Sequence, residues 1–332
     1  MGVLAQETAG PIIVAPTAFK GTLGPVRAAR AICKGVLRIL PGARILSIPV
    51  ADGGDGTREV LAPESPLRKA PVHDPLGRKS EAPYALIGRT AIMEMAEASG
   101  LKLLSTRERN PESTSTFGTG ELIRAAWEAG ARRILLGVGG SASVDGGRGA
   151  IEAIGKARKI CPAITVLCDV KTRFLDAPRI FGPQKGASPE AVERLVERLR
   201  EWNGRLPRDV RRLQGGGAAG GLAGGLASFG ARLVPGAAFI LRHLHFTRKI
   251  RGASLLITGE GRFDSTSLQG KIVGEVLSKS KGIPHRILCG ESSIKKTGIV
   301  EMSRLAGSQK KARRAPVHWL GRAAEVALRG GR

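Results

Sequence analysis

The sequence repeatedly places a glycine-rich loop, with an acidic or basic side chain in it, directly after a short apolar segment. The clearest case lies within residues 113–149, where the apolar segment 132–138 follows a stretch with helical spacing. A short apolar segment of this kind is typical of a strand that is covered on both faces. The loop after it contains Ser141, Ser143 and Asp145. Ligands of open α/β sheets bind just beyond the carboxyl ends of strands, so we expect the chemistry in this loop.

The same order of strand, loop and helix recurs along the chain. Helices are predicted to begin near Pro25 and after Ser188, whose hydroxyl can cap the first turn, and a last amphipathic helix covers residues 319–328. Strands that alternate with helices indicate parallel α/β sheets. The predicted strands are residues 11–15, 43–50, 132–138, 163–167, 253–258 and 287–289.

Two proline- or glycine-rich stretches interrupt this alternation. Residues 62–84 are interpreted as a crossover between two lobes, with a turn at residues 74–77. Residues 214–225, QGGGAAGGLAGG, contain alanine and leucine rather than the serine and polar residues of a flexible linker. We therefore favour a phosphate-cradling loop that opens a closely packed helix.

Composition narrows the class of protein. The 332 residues favour two domains, and 46 glycines without a strict period argue against a collagen-like chain. The four cysteines form no C-x-x-C pair, which favours reduced, structural thiols over a metal site. No apolar stretch approaches the roughly 20 residues of a membrane span, so we expect a cytoplasmic protein without a membrane partner.

The net charge of +25, from 53 Lys and Arg against 28 Asp and Glu, attracts anions of every kind. The net charge does not distinguish one class of anion from another, and a chain from a generally basic proteome would carry the same charge. Residues 310–314, KKARR, form the densest basic run, which we interpret as a solvated loop of the folded lobe. We expect weak, salt-sensitive binding of polyanions and no specific nucleic-acid partner.

Four of the glycine-rich loops combine the groups that phosphoryl transfer needs. Glycine amides can close on phosphate oxygens, and Lys20, Lys185 and Arg262 supply positive charge. Aspartates can hold Mg²⁺ or accept a hydroxyl proton, and the catalysis is mostly positioning and charge neutralisation. A single D-G-G is more often only a turn. The four loops are residues 52–57, 141–147, 181–186 and 259–264.

Known nucleotide motifs are absent or incomplete. The chain has no G-x-x-x-x-G-K-[ST], which argues against a P-loop kinase. Residues 137–142 fit a relaxed G-x-G-x-x-A after a strand, but no acid ends a second strand about 20 residues later, as a dinucleotide site requires.

Taken in order, these segments closely resemble the class I glycerate kinases. The resemblance covers about residues 11–275 and fades after about residue 274. Its segments are APTAFKGTL, PVADGGDGT, TSTFGTGELIRAA, GVGGSASVDGG, CDV, FGPQKGAS, GGAAGGLAGGLASF and LITGEGRFDSTSLQGK.

The resemblance implies transfer of the γ-phosphoryl group of ATP to D-glycerate, with Mg²⁺ as cofactor and 2-phosphoglycerate as product. It also implies an α/β fold of two lobes with parallel sheets and an active site in the cleft between them. A terminal lobe would comprise residues 1–62 and 283–332, and a flavodoxin-like lobe, residues 63–282, would be inserted into it. The oligomeric state stays open.

Each matching loop then receives a role. Asp145 or Asp52 would accept the proton of the glycerate hydroxyl, while Lys20, Lys185 and Arg262 neutralise phosphate or carboxylate. Asp169 and Asp52 are the candidate metal ligands. The candidate substrate- and nucleotide-binding residues are Asp55, Thr116, Gly118, Thr119, Ser141, Ser143, Gly216, Gly217, Gly220, Gly221, Glu260 and Asp264.

Two passages are shorter than is usual in that family, residues 156–167 and residues 171–180. Two alternatives therefore stay open. One is an inactive nucleotide- or anion-binding protein on the same fold, and the other is a kinase of a related small hydroxy acid.

Overall fold

A computed structural model describes residues 10–155, 163–268 and 270–330 and divides the chain into two compact units. Unit 1 consists of Met1–Ala51, Glu59–Leu61 and Ala237–Arg332, and unit 2 of Asp52–Arg58 and Ala62–Gly236. None of the helices in the described ranges combines the length and the apolar character that spanning a membrane requires.

Unit 1 is built on a parallel sheet with helices packed against it. In the described residues the strand order is β11-β10-β9-β1-β2, and every neighbouring pair is parallel. The strands are β1 (Ile12–Pro16), β2 (Ile45–Ser47), β9 (Leu255–Phe263), β10 (His285–Ser292) and β11 (Ile299–Glu301). The helices are α1 (Pro25–Ile39), α11 (Ile272–Lys279), α12 (Met302–Leu305), α13 (Gln309–Arg314) and α14 (Pro316–Leu328), with α9 (Gly236–His243) and α10 (Phe246–Lys249) after the return of the chain.

Helices α1 and α14 pack together on one face of this sheet because each has a stripe of small and aliphatic residues. Gly35 of α1 lies so close to α14 that an added Cβ would come within 2.3 Å of the Gly321 oxygen. Ile32, Val36 and Leu320 are fully buried there, which removes apolar surface from water and stabilises the unit.

Unit 2 is built on a mixed sheet with the order β3-β4-β5-β6-β7-β8 in the described residues. The pairs β3/β4 and β4/β5 are antiparallel, and the three pairs from β5 to β8 are parallel. The strands are β3 (Leu67–His73), β4 (Lys79–Ile87), β5 (Thr90–Glu94), β6 (Arg133–Gly137), β7 (Ala163–Leu167) and β8 (Arg232–Val234). The helices are α3 (Ala96–Ser99), α4 (Phe117–Glu128), α5 (Arg148–Ile154), α6 (Ala177–Phe181), α7 (Pro189–Asn203) and α8 (Leu222–Ser228), and the short α2 (Thr57–Leu61) has residues in both units.

Several sequence predictions are confirmed. The mixed α/β class with parallel-dominated sheets is correct, and the predicted strand over residues 163–167 coincides with β7. Helix α7 begins where expected, and the Ser188 hydroxyl accepts a hydrogen bond from the Ala191 amide at 3.2 Å. The turn at residues 74–77 is present and joins β3 to β4.

Three predictions are wrong. Residues 62–84 contain the hairpin strands β3 and most of β4 rather than a crossover, because the Ala70, Val72, Ala82 and Tyr84 side chains alternate into the core despite the prolines. The basic run lies in helix α13 rather than a loop, with Ala312 buried. The chain re-enters unit 1 at Ala237 rather than at 283, since β9 pairs with β1.

Candidate active site

The carboxyl ends of β5, β6 and β7 carry a tightly packed group of loops in unit 2. The loop over residues 52–57 lies against the ends of β6 and β7, where the Gly139 amide donates to the Gly53 oxygen at 3.0 Å. A Cβ on Gly53 would lie 2.3 Å from the Leu167 oxygen, and one on Gly139 would lie 2.5 Å from the Gly54 Cα. These approaches require glycine, which explains why D-G-G occurs here.

Asp52 and Asp55 belong to this loop, and their surroundings differ from those of Asp145. Asp52 is half-buried, and its Oδ1 accepts a hydrogen bond from the Gly54 amide at 3.0 Å. Its Oδ2 has no hydrogen-bond donor among the described residues. Thr57 closes the loop, because its hydroxyl donates to the Gly54 oxygen at 2.7 Å and accepts from the Gly53 amide at 3.1 Å. Asp52 therefore holds the loop with one oxygen and leaves the other available.

Asp145 is saturated with hydrogen bonds. Its Oδ2 accepts from the Thr116 amide at 2.8 Å, the Thr116 hydroxyl at 2.7 Å and the Gly149 amide at 3.2 Å. Its Oδ1 accepts from the Gly147 amide at 3.0 Å. Two of these amides belong to the start of α5, and Thr116 precedes α4, so the carboxylate joins the amino ends of two helices.

Lys185 is buried under the loop that precedes Asp145. Only 2% of it is exposed, and its Nζ donates to the Ser141 hydroxyl and to the Ser143 oxygen, both at 2.7 Å. Burial lowers the pKa of the Lys185 ammonium to about 7, although the negative charge of Asp145 acts in the opposite direction. The buried Ser143 hydroxyl has no hydrogen-bond partner in the described part of the chain. Lys185 therefore supports this loop from below, and within residues 141–147 only Asp145 is half-buried rather than buried.

Glu94 completes this edge of the sheet and is not among the residues predicted from the sequence. It ends β5 and is buried, and its carboxyl accepts from the Gly56 amide at 3.2 Å and the Arg58 amide at 2.9 Å. Burial is the main cause that raises the pKa of Glu94 to about 7, with smaller contributions from the charges of Glu97 and Asp55. The available signal was an acid at the end of an otherwise apolar strand, TAIME.

The glycine-rich stretch before α8 packs on the Asp145 loop. Residues 215–226 are buried, and the Gly146 amide donates to the Gly220 oxygen at 3.0 Å. A Cβ on Gly220 would lie 2.0 Å from the Ser143 oxygen, and one on Gly217 would lie 2.4 Å from the Arg173 oxygen. The close packing that we expected is present, and contact of Gly216, Gly217, Gly220 and Gly221 with a nucleotide stays a prediction.

At the start of α4, Thr116, Gly118 and Thr119 are likewise buried. Thr119 donates to the Ser99 hydroxyl at 2.8 Å, and a Cβ on Gly118 would lie 1.9 Å from the His73 oxygen. Thr116 connects Asp145 to α5, since its hydroxyl also accepts from the Ala150 amide at 3.0 Å. These three residues shape the site, and a direct role of theirs in binding stays a prediction.

The remaining candidates lie in unit 1, at the carboxyl ends of β1 and β9. Lys20 is exposed just after β1, and its backbone lies beside Gly261. Arg262 is exposed, and its Nε lies 3.6 Å from Asp264 Oδ2. Hydrogen bonds from Thr266 to Asp264, at 2.6 Å from the hydroxyl and 2.9 Å from the amide, lower the pKa of that carboxyl. Glu260 is half-buried in the same strand. Unit 1 thus groups four of the predicted residues.

Among the described residues, no group of three or more His, Cys, Asp or Glu side chains is arranged to hold a metal ion. Mg²⁺ in phosphoryl-transfer sites is usually held by one or two carboxylates together with substrate phosphates, so a complete protein cage is not required. Asp52 precedes Gly53, which contacts Leu167, and Asp169 follows Leu167 by two residues. The assignment of Asp52 and Asp169 as ligands stays a prediction.

The three cysteines among the described residues offer no reactive thiolate, because the pKa of each thiol is raised. Burial, with a smaller contribution from Asp169, raises the pKa of Cys168 to about 11. Burial likewise raises the pKa of Cys289 to about 12. Cys33, Cys168 and Cys289 are free thiols, with Cys33 and Cys168 only half-buried, and Cys161 lies outside the described residues.

Known proteins resemble this chain over most of its length. The glycerate kinase family matches residues 12–159 and 156–326. The glycerate 2-kinase of Escherichia coli (strain K12) is 38% identical, over 79% of this chain and 79% of that protein. The glycerate kinase of Halalkalibacterium halodurans is 36% identical, over 84% of this chain and 85% of that protein. A crystal structure from Salmonella typhimurium LT2, described as glycerate kinase 2, is 34% identical and superposes with a TM-score of 0.75 over 97% of this chain and 98% of its own. The chain therefore belongs to the glycerate kinase family.

Proposed function

We propose that this kinase transfers the γ-phosphoryl group of ATP to the 2-hydroxyl of D-glycerate and forms 2-phosphoglycerate, with Mg²⁺ as its cofactor. The observation that carries the proposal is that the loop over residues 52–57 packs on Gly139 and Gly140, which lead into the loop over residues 141–147, with the Lys185 ammonium beneath that second loop. Phosphoryl transfer depends on positioning and charge stabilisation, which such rigid loops can supply.

The two aspartates receive different roles. Asp52 keeps one carboxylate oxygen without a donor among the described residues, so it is the better acceptor for the hydroxyl proton of glycerate. Both carboxylate oxygens of Asp145 already accept hydrogen bonds, from backbone amides and from the Thr116 hydroxyl. Asp145 therefore positions the loop rather than exchanging a proton.

Lys20 and Arg262 are exposed cations at the carboxyl ends of β1 and β9. We propose that they bind the phosphate or carboxylate groups of the substrates, while Glu260 and Asp264 orient the same region. When bound, Mg²⁺ would neutralise charge on the ATP phosphates, and Asp169 would hold it, because the available oxygen of Asp52 accepts the proton.

A coupled assay tests the proposal. Purified protein is incubated with ATP, Mg²⁺ and D-glycerate, and ADP release is followed together with the product. Enolase alone converts 2-phosphoglycerate to an absorbing product, whereas 3-phosphoglycerate first needs a mutase. A signal with enolase alone is expected. A signal that requires the mutase would show that the phosphoryl group is transferred to the 3-hydroxyl of glycerate.

The same assay separates the alternatives. Calorimetric binding of ATP–Mg²⁺ without turnover would favour an inactive binding protein on this fold. A higher kcat/KM for another small hydroxy acid, such as L-glycerate or tartronate, would mean that this acid is the preferred substrate instead of D-glycerate.

A further inference from the structure

Glu94 holds the loop over residues 52–57 from another part of the chain. Its two carboxylate oxygens accept from the Gly56 amide and the Arg58 amide, which lie 38 and 36 residues away in sequence. These amides lie on either side of Thr57, the first residue of α2. The residue before the helix, Gly56, has no side chain that could cap it. Glu94 therefore supplies the acceptors that the start of this helix would otherwise lack.

The environment of this carboxyl is unusual for a structural residue. Only 5% of Glu94 is exposed, and it forms no salt bridge with any described Lys, Arg or His. The charges of Glu97 and Asp55, both negative, add to the effect of burial in raising the pKa of Glu94. Glu97 is itself paired with Lys102 at 2.5 Å. A buried acid without a cation costs free energy, and groups of this kind are concentrated at functional sites.

The position of the loop determines where the aspartates lie. Gly56 adopts a left-handed backbone with φ of 86°, and a Cβ on Gly140 would lie 3.7 Å from Asp55 Oδ1. We propose that Glu94 is a positioning residue for the reaction. Its carboxyl holds the loop over residues 52–57 against the ends of β5 and β6 and so directs Asp52 and Asp55. The proposal rests on the proposed function, because the loop is taken to carry the proton acceptor.

Protonation of Glu94 would loosen the loop. A protonated carboxyl has an O–H donor on one oxygen, so one of the two amides loses a good acceptor. Because burial raises the pKa of Glu94 to about 7, with Asp55 and Glu97 adding to the shift, this change falls near neutral pH. Activity should therefore decline on the acidic side of pH 7 through a residue that does not touch the substrate.

The test compares Glu94→Gln with Glu121→Gln. Glu121 is a matched control in the same unit, since its carboxyl accepts from the His73 amide at 2.7 Å and lies on α4. Hydrogen exchange of peptides that cover residues 52–61 is measured for both variants, together with kcat, KM and the pH profile for glycerate phosphorylation.

We expect exchange in residues 52–61 to become about tenfold faster in Glu94→Gln and to stay unchanged in Glu121→Gln. Glu94→Gln should also lower kcat more than it raises KM and lose the acidic limb near pH 7. Unchanged exchange, or a lower kcat with the same acidic limb, would overturn the proposal. If wild-type protein shows no kinase activity, the proposed function fails and the exchange experiment still decides the role of Glu94.

If Glu94→Gln does not fold, Glu94→Asp replaces it, because the shorter side chain keeps the charge and withdraws the acceptors. Faster exchange confined to residues 52–61 would then support the proposal, and unchanged exchange there would refute it.

Discussion

At the scale of single residues, Asp52 and Asp145 are distinguished by the number of donors on their oxygens. Asp145→Asn turns an amide NH₂ toward amide donors, so we expect the free energy of unfolding to fall by about 2–3 kcal/mol. Asp52→Asn can keep the Gly54 bond through its amide oxygen, so stability should stay within about 1 kcal/mol while kcat falls at least about 100-fold. Urea unfolding and steady-state kinetics check both variants. Stable Asp145→Asn protein that has lost its activity would reverse the two roles.

Lys185 couples stability to pH. Its pKa falls from about 10.4 in an unfolded chain to about 7, so the unfolded state binds more protons between these values. The stability of wild-type protein relative to Lys185→Met should therefore be flat below pH 7. It should rise by up to about 4 kcal/mol as the pH approaches 10. Urea unfolding of both proteins at several pH values measures the difference. A difference that does not change with pH would show that the ammonium keeps its ordinary pKa.

At the scale of elements, the contact between α8 and the Asp145 loop depends on glycine. Helix propensity alone predicts that Gly225→Ala stabilises α8 by up to about 1 kcal/mol. A Cβ there would lie 2.2 Å from the Gly146 oxygen, so we expect destabilisation by about 2–3 kcal/mol and lower kcat. Gly42→Ala is the control, because a Cβ on Gly42 meets nothing within 4 Å and its stability should change by less than about 1 kcal/mol. Urea midpoints of the two variants measure the contrast, and a stabilised Gly225→Ala would mean that the loop can move away.

At the scale of the whole molecule, the excess charge lies partly on exposed helix surfaces of unit 1. Seven cations on α1 and α13 are exposed and form no salt bridge within the described residues. Affinity that depends on such charges falls steeply with salt, since it comes from counterion release. These cations are Arg27, Arg30, Lys34, Lys310, Lys311, Arg313 and Arg314.

We therefore expect weak binding of any duplex at low salt and its loss at physiological salt. Fluorescence anisotropy with two unrelated labelled duplexes measures this, and Lys310→Glu with Lys311→Glu should weaken binding at low salt. Binding that distinguishes the two duplexes at physiological salt would instead make nucleic acid a specific partner.

The sequence alone determined the alternation of strands and helices, the glycine-rich loops and the family. These features depend on local patterns: apolar spacing predicted β7 and α14, Ser188 predicted the start of α7, and order along the chain carried the resemblance. Asp145 and Lys185 were also identified in this way, because their motifs are contiguous in the sequence.

Only the tertiary structure decided which segments lie together. Glu94 holds amides 36 and 38 residues away, β9 pairs with β1 rather than with the strands of unit 2, and Lys185 is buried rather than exposed. Such contacts arise from packing between distant segments, which a local pattern does not record. The hairpin β3/β4 was missed for the opposite reason, since its prolines suggested a loop and burial of one face of the strands outweighed that local signal.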